Sequence, residues 1–349
     1  RKAEMMTRRQ VLLGTFLLIM LISLGGVLLS GSGPRPELTI RIAMLGSSKD
    51  EDYDGAMAFK HHVESATDNL IKVELYPSGQ FCSTERECLE ALQSGVLQVF
   101  MFTTGGFGSV YGPAQVLDLP YVFQNDAIAE CVLDGPILTK LGQTIEEADL
   151  GIRFMTVSNT GGWRNFATTD QPIFSPEDIR SRKIRTITAP LQQELVRQLG
   201  GNPTPISWPE VYTALATGVV DGTKNGIHDI VSMQLHEQIR FVTLDGHAYM
   251  GGLWWYSEVS WRALSENEKK IVQKGFLKLK NKTREAIRRW EEESYAAFEA
   301  SGGTLISLDS KTRESFRHAV RGIREWYRQT YGDIWLRRLD DAVKSCERL

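Results

Sequence analysis

"FSPEDIRSRKIRTITAPLQQELVRQLGGNPTPISWPEVYTALATGVVDGTKNGIHDI" (residues 174–230) decides the architecture. Within it "RKIRTITA" is rich in β-branched residues (Ile184, Thr186, Ile187, Thr188) and predicts a short buried strand. "APLQQELVRQLG" predicts a helix, "NPTPIS" another strand and "WPEVYTALATG" another helix. Strands alternating with helices imply a mostly parallel sheet wrapped by helices. One residue disturbs the pattern. Arg185 sits inside the apolar strand, where a guanidinium is costly without a partner, and the strand offers no acid. Its partner is either a sequence-distant acid such as Asp221 or a molecule that is not protein. Asp221-Gly222 itself reads as a structural turn.

The same alternation extends outward. Upstream, "ELTIRIAML" (37–45), "IKVELYP" (71–77) and "VLQVFMFTT" (96–104) predict strands, separated by the helical segments "DYDGAMAFKHHVESAT" and "ERECLEALQSG". Downstream, "RFVTLDGHAYMGGLWWYSE" predicts a strand whose Trp254, Trp255 and Tyr256 belong to a core. Residues 265–301 are charged and periodic, with Gly275 the one glycine, and predict one long helix or two abutting ones. The remainder to the C-terminus predicts more helix.

The chain has 349 residues, 42% hydrophobic and 24% charged, with a formal net charge of −3. That length exceeds what one core usually serves, so two lobes are expected. The first 33 residues are basic (Arg1, Lys2, Arg8 and Arg9 against Glu4), which leaves an acidic body without the basic stripe of a nucleic-acid binder. After Arg8-Arg9 an uncharged apolar run extends from Val11 to Leu29, followed by small residues. This is the order of a signal peptide, and "TRRQVL" resembles a twin-arginine export signal. The alternatives are a general export signal or an uncleaved anchor. All of them place the body in the periplasm or otherwise outside the cytoplasm. In "FCSTEREC", Cys82 and Cys88 are close enough for a disulfide pinning a turn to a helix start, with two free thiols the alternative. Cys131 and Cys346 are too far apart in sequence to pair on that basis.

The 174–230 block resembles the core signature of the DctP-like solute-binding proteins of TRAP transporters. The resemblance lies in an extended K-x-R segment, a helix ending in Leu-Gly, a proline-flanked turn, then "EVYTAL", "TG" and "VVDG" with an asparagine after it. "LYPSGQFCSTERECLEALQSG" and "VLDLPYVF" resemble the family's first-lobe pattern. The resemblance implies an α/β, two-lobe periplasmic-binding-protein-like fold with mixed, mostly parallel sheets, a long bracing helix and a ligand cleft between the lobes. It divides the chain into 38–162 plus 251–290 for one lobe and 163–250 plus 291–349 for the other.

It also implies a carboxylate-containing organic acid as ligand, delivered to TRAP membrane subunits, and Arg185 as a two-pronged carboxylate clamp. Arg164 is then a second basic contact, Trp208 a pocket wall and Asn225 an amide contact. Their structural alternatives are a surface arginine, a packed helix cap and a turn asparagine. Lys224, beside Asn225, adds positive charge if it faces the cleft, and water is its default. Ligands bind outside the carboxyl ends of parallel strands, which adds Thr103 and Thr104 as hydroxyl donors.

No G-x-S-x-G, H-E-x-x-H or phosphate loop is present, so catalysis, a metal site and a cofactor are not expected. The competing reading is a membrane-anchored module sensing organic acids. The K-x-R to "VVDG" order argues against an ABC-type binding protein.

Overall fold

The computed structural model describes residues 38–348, so the expected export segment lies outside the described residues. The first half of the chain runs β1 (Leu38–Ala43), α1 (Glu51–Ala66), β2 (Ile71–Tyr76), α2 (Glu85–Ser94) and β3 (Val99–Thr103). Then come α3 (Asp126–Leu133), α4 (Pro136–Glu147), β4 (Ile152–Thr168), β5 (Lys183–Thr186) and α5 (Pro190–Gln198). β6 (Asn202–Pro205), α6 (Val211–Ala216), β7 (Gly222–Asn225), α7 (Ile227–Ser232) and β8 (Phe241–Ser257) follow. The chain closes with α8 (Glu258–Ala263), α9 (Glu266–Ala300), β9 (Thr304–Ser307), α10 (Ser310–Ala319), α11 (Gly322–Tyr331) and α12 (Ile334–Cys346).

The strands lie in the order β2-β1-β3-β8-β4-β7-β5-β6, with β9 beside β8. β1 pairs in parallel with β2 and β3, as β5 does with β6 and β7. The antiparallel pairs β3–β8, β4–β8 and β4–β7 join these two parallel sets. β4 and β8, 17 residues each, run through both sets. Ile152–Asn159 pair with one end of β8, and after an irregularity Trp163–Thr168 pair with the other end. Gly161 and Gly162 supply that irregularity at φ +96° and +74°.

One large buried cluster, with Phe102 of β3 and Ile184 of β5, spans both sets, and two smaller ones belong to one set each. Ile40, Ile42, Phe59, Val73, Trp254, Tyr256 and Phe276 form one cluster, while Ala167, Val211, Ile230, Val242 and Phe298 form another. The Trp254-Trp255-Tyr256 run is buried core, as expected from its aromatic content.

α9 is a single 35-residue helix opened by a capping box between Ser265 and Glu268. It packs on α1, on β4 and on α7, so it braces elements from both parallel sets. Gly275 has a local reason here: a Cβ at that position would stand 2.8 Å from the Phe59 ring.

Disulfides join Cys82 to Cys88 and Cys131 to Cys346. The first pins the turn before α2 to that helix. The second, spanning 215 residues, ties α12 to α3. α12 also packs on α4, so residues 334–346 are joined to the first half, across the boundary expected at residue 291.

Candidate functional site

A cavity of about 640 Å³, counted with its mouth, lies outside the carboxyl ends of β1, β3, β5 and β7. Its walls come from both parallel sets. Leu45, Asp50, Glu51, Asp52, Met101 and Thr103 face Arg164, Arg185, Trp208, Asn225 and Asp229. An adjoining groove shares Leu45, Glu85, Arg185, Ile187 and Trp208 and leads outward.

Arg185 is 3% exposed. Its Nε donates to the Ile206 carbonyl at 3.0 Å, its guanidinium carbon lies 5.2 Å from the centroid of the Trp208 ring, and Nη2 has no partner. No carboxylate comes within 4.0 Å of it among the described residues. Asp221 is occupied elsewhere, accepting from the Lys183 N–H at 2.8 Å and pairing with Lys183 Nζ at 3.6 Å. Burial, then the Arg164 guanidinium, pushes Arg185 down to about 9, which leaves it charged at neutral pH.

Arg164 is also 3% exposed. Its Nη1 donates to the Lys224 carbonyl at 3.2 Å, while Nε has no hydrogen bond and stands 3.9 Å from Asp118 Oδ1. Asn225, at the end of β7, accepts from Thr223 Oγ1 at 2.8 Å and donates to Asp229 Oδ2 at 3.1 Å. Thr103 lines the cavity and its hydroxyl oxygen accepts from the Gly106 N–H at 2.9 Å, which leaves its proton free to donate. Thr104 does not line it. Successive strand residues face opposite ways, and Thr104 is fully buried against Gly251. Lys224 neither faces the cleft nor water: β7 lies between β4 and β5, all four of its residues are buried, and desolvation pushes the Lys224 amine well below its usual range.

Five acids that the sequence reading did not single out share the cavity: Asp50, Glu51, Asp52, Glu85 and Asp229. Asp50 is the N-cap of α1, and Glu51 and Asp52 open its first turn. Asp52 accepts from Thr160 Oγ1 at 2.5 Å and from Ser158 Oγ at 3.4 Å. Burial pushes Asp52 and Asp229 up to about 7 and holds Glu51 and Asp50 above the usual carboxylate range. The signal was present in "KDEDYD" (49–54), four acids where a parallel strand hands over to a helix. Acids at a helix start are common there because they complement the helix dipole, so the pattern alone does not mark a site.

The sequence profile of the bacterial extracellular solute-binding proteins, family 7 (DctP) matches residues 42–330. The ectoine-binding periplasmic protein TeaA of Halomonas elongata is 29% identical over 293 residues, covering 81% of this chain and 84% of that protein. The sialic acid-binding periplasmic protein SiaP of Vibrio cholerae is 27% identical over 286 residues, covering 81% of this chain and 86% of that protein. The fold matches the sugar acid binding protein DctPAm of Advenella mimigardefordensis, in complex with galactonate, with a TM-score of 0.85 at 24% identity over 90% of this chain and all of that one. The profile covers most of the chain, and the cavity lies where two α/β halves meet: the protein belongs to the DctP family of extracellular solute-binding proteins.

Proposed function

We propose that this protein captures a carboxylate-containing small molecule in the cavity between its halves and delivers it to the membrane subunits of a TRAP-type transporter. The observation that carries the reading is Arg185. A guanidinium in a cavity wall, 3% exposed, with one nitrogen unpartnered and no carboxylate within 4.0 Å, suits a ligand carboxylate. Arg164 adds positive charge, Trp208 orients the clamp, and Asn225 and Thr103 supply polar contacts. The relatives named for ectoine, sialic acid and galactonate support small organic acids as the class.

The lobes of this reading are 38–162 with 251–290 and 163–250 with 291–349, hinged where β4 and β8 cross, with α12 returning to the first. Closure about that crossing traps the ligand. The site is periplasmic in this reading, the N-terminal segment acting as export signal or anchor. Among the described residues no helix is long and apolar enough to cross a membrane.

Thermal-shift screening of an organic-acid library tests the proposal. A ligand at a hundred times its dissociation constant stabilises by about 2.7 kcal/mol. The shift should vanish in Arg185→Ala, and a ligand whose shift survives that change would refute the clamp.

A further inference from the structure

We infer that the ligand carries a cationic nitrogen group as well as a carboxylate, and that Glu51, Asp52 and Asp229 hold the cation. The inference rests on the carboxylate reading of Arg185 and assigns the opposite wall of the same cavity. Glu51 is 1% exposed, yet its Oε2 makes no hydrogen bond. The nearest basic atom is His228 Nε2 at 3.7 Å, itself without a hydrogen bond, while His228 Nδ1 is taken by Ser294 Oγ at 3.0 Å. Among the described residues no lysine or arginine lies within 4.0 Å of Asp50, Glu51, Asp52 or Asp229.

Burying acids without cations is expensive. A helix N-terminus favours acids at its first turn, but the gain is that of surface positions and does not offset full burial. Hydroxyl and amide donors (Thr160, Ser158, Asn225) satisfy part of Asp52 and Asp229 and none of Glu51. The cavity therefore has two signs: guanidinium donors on the β4 and β5 side, and carboxyls at the start of α1 and on α7, of which Glu51 Oε2 has no donor. Glu85, half-buried at the start of α2, lies within the field of both arginines, as Asp229 on α7 also does, while Glu51 and Asp52 are shifted by burial and by neighbouring acids. A purely anionic ligand supplies no donor to Glu51 Oε2. An ammonium, amidinium or guanidinium group supplies the missing donors and charge together. A metal ion fits less well, because no three acidic, histidine or cysteine groups among the described residues converge as its ligands.

The protonation states agree with this division. Burial first, then mutual repulsion, raises these carboxyls, so the empty cavity retains protons near neutrality that a bound cation displaces.

The test is calorimetry on the exported chain with matched probes: succinate and D-glucuronate as anions, and 4-aminobutyrate, 4-guanidinobutyrate and ectoine as zwitterions. A zwitterion should bind at least tenfold tighter than the anions, releasing protons to the buffer at pH 7. Glu51→Gln and Asp229→Asn should each raise its Kd roughly ten- to a hundredfold, with melting curves verifying the fold. Arg185→Ala should weaken both probe classes. Anions binding best, with Glu51→Gln neutral or favourable, would overturn the cation site and leave carboxylate capture standing. Anion binding that requires added calcium would overturn it too, reassigning the acids to a metal. Failure of both classes would remove the carboxylate reading and this one with it.

Discussion

Arg185 and Trp208 act as one unit, the guanidinium carbon 5.2 Å from the centroid of the indole ring and Nε held 3.0 Å from the Ile206 carbonyl. Stack and hydrogen bond fix the plane of the fork and leave Nη2 for the ligand. Charged hydrogen bonds contribute roughly 1.5–3 kcal/mol each, so Arg185→Ala should weaken binding by about two to four powers of ten. Arg185→Lys keeps charge but loses fork and stack, and should also bind poorly. Unliganded melting temperatures should shift little, because one carbonyl bond is lost while a desolvated charge is removed. Unchanged affinity with a large loss of apo stability would make Arg185 structural.

Stability should carry the mark of the buried acids. Asp52 and Asp229 sit at about 7 in the folded protein, against about 3.9 for an unfolded aspartate. Between these values the folded state holds protons that the unfolded chain has released, so this contribution falls as pH rises from about 4 to about 7. Carboxylates paired with cations, such as Glu64, Asp134 and Glu258, have lowered values and act in the opposite sense at lower pH. The difference between wild type and Asp52→Asn/Asp229→Asn isolates the effect. The double variant should gain on wild type as pH rises from 5 to 8, and parallel melting-temperature profiles would contradict the assignment.

The two disulfides should differ in weight. In the chain-entropy account, closing the 6-residue separation of Cys82–Cys88 stabilises by about 2 kcal/mol and closing the 215-residue separation of Cys131–Cys346 by about 5 kcal/mol. Cys131→Ser/Cys346→Ser should thus melt well below Cys82→Ser/Cys88→Ser. Equal losses in urea titrations would mean that the long bridge restrains little of the unfolded chain.

The crossing of β4 gives a paired test. Gly161→Ala places a Cβ 2.5 Å from Asp229 Oδ1 at φ +96°, whereas Gly162→Ala at φ +74° meets nothing nearer than Glu291 Oε1 at 3.8 Å. Gly162→Ala should cost only the backbone penalty of about 1–2 kcal/mol. Gly161→Ala should cost more and reduce ligand affinity, because it displaces two cavity side chains, Met250 and the Asp229 carboxylate. Equal affinity in both variants would detach Asp229 from the site.

The sequence alone determined the alternation of strands and helices, because apolar periodicity and turn chemistry act over a few residues. Through its resemblance it also brought Arg185, Arg164, Trp208 and Asn225 to one place, and the strand-end rule added Thr103; all five line the cavity or its rim. Cys82 and Cys88 were legible for the same local reason. What only the tertiary structure decided depends on elements far apart in the chain. The start of α1 meets α7 across the crossing strands, which turns Glu51 from a helix-dipole acid into a buried acceptor without a donor. β4 and β5 enclose Lys224 against its solvent default, and the pleat sends Thr104 behind the sheet. Packing of α12 on α3 brings Cys346 to Cys131. Local pattern reports what a residue prefers, whereas desolvation and partner supply are set by which distant elements close over it.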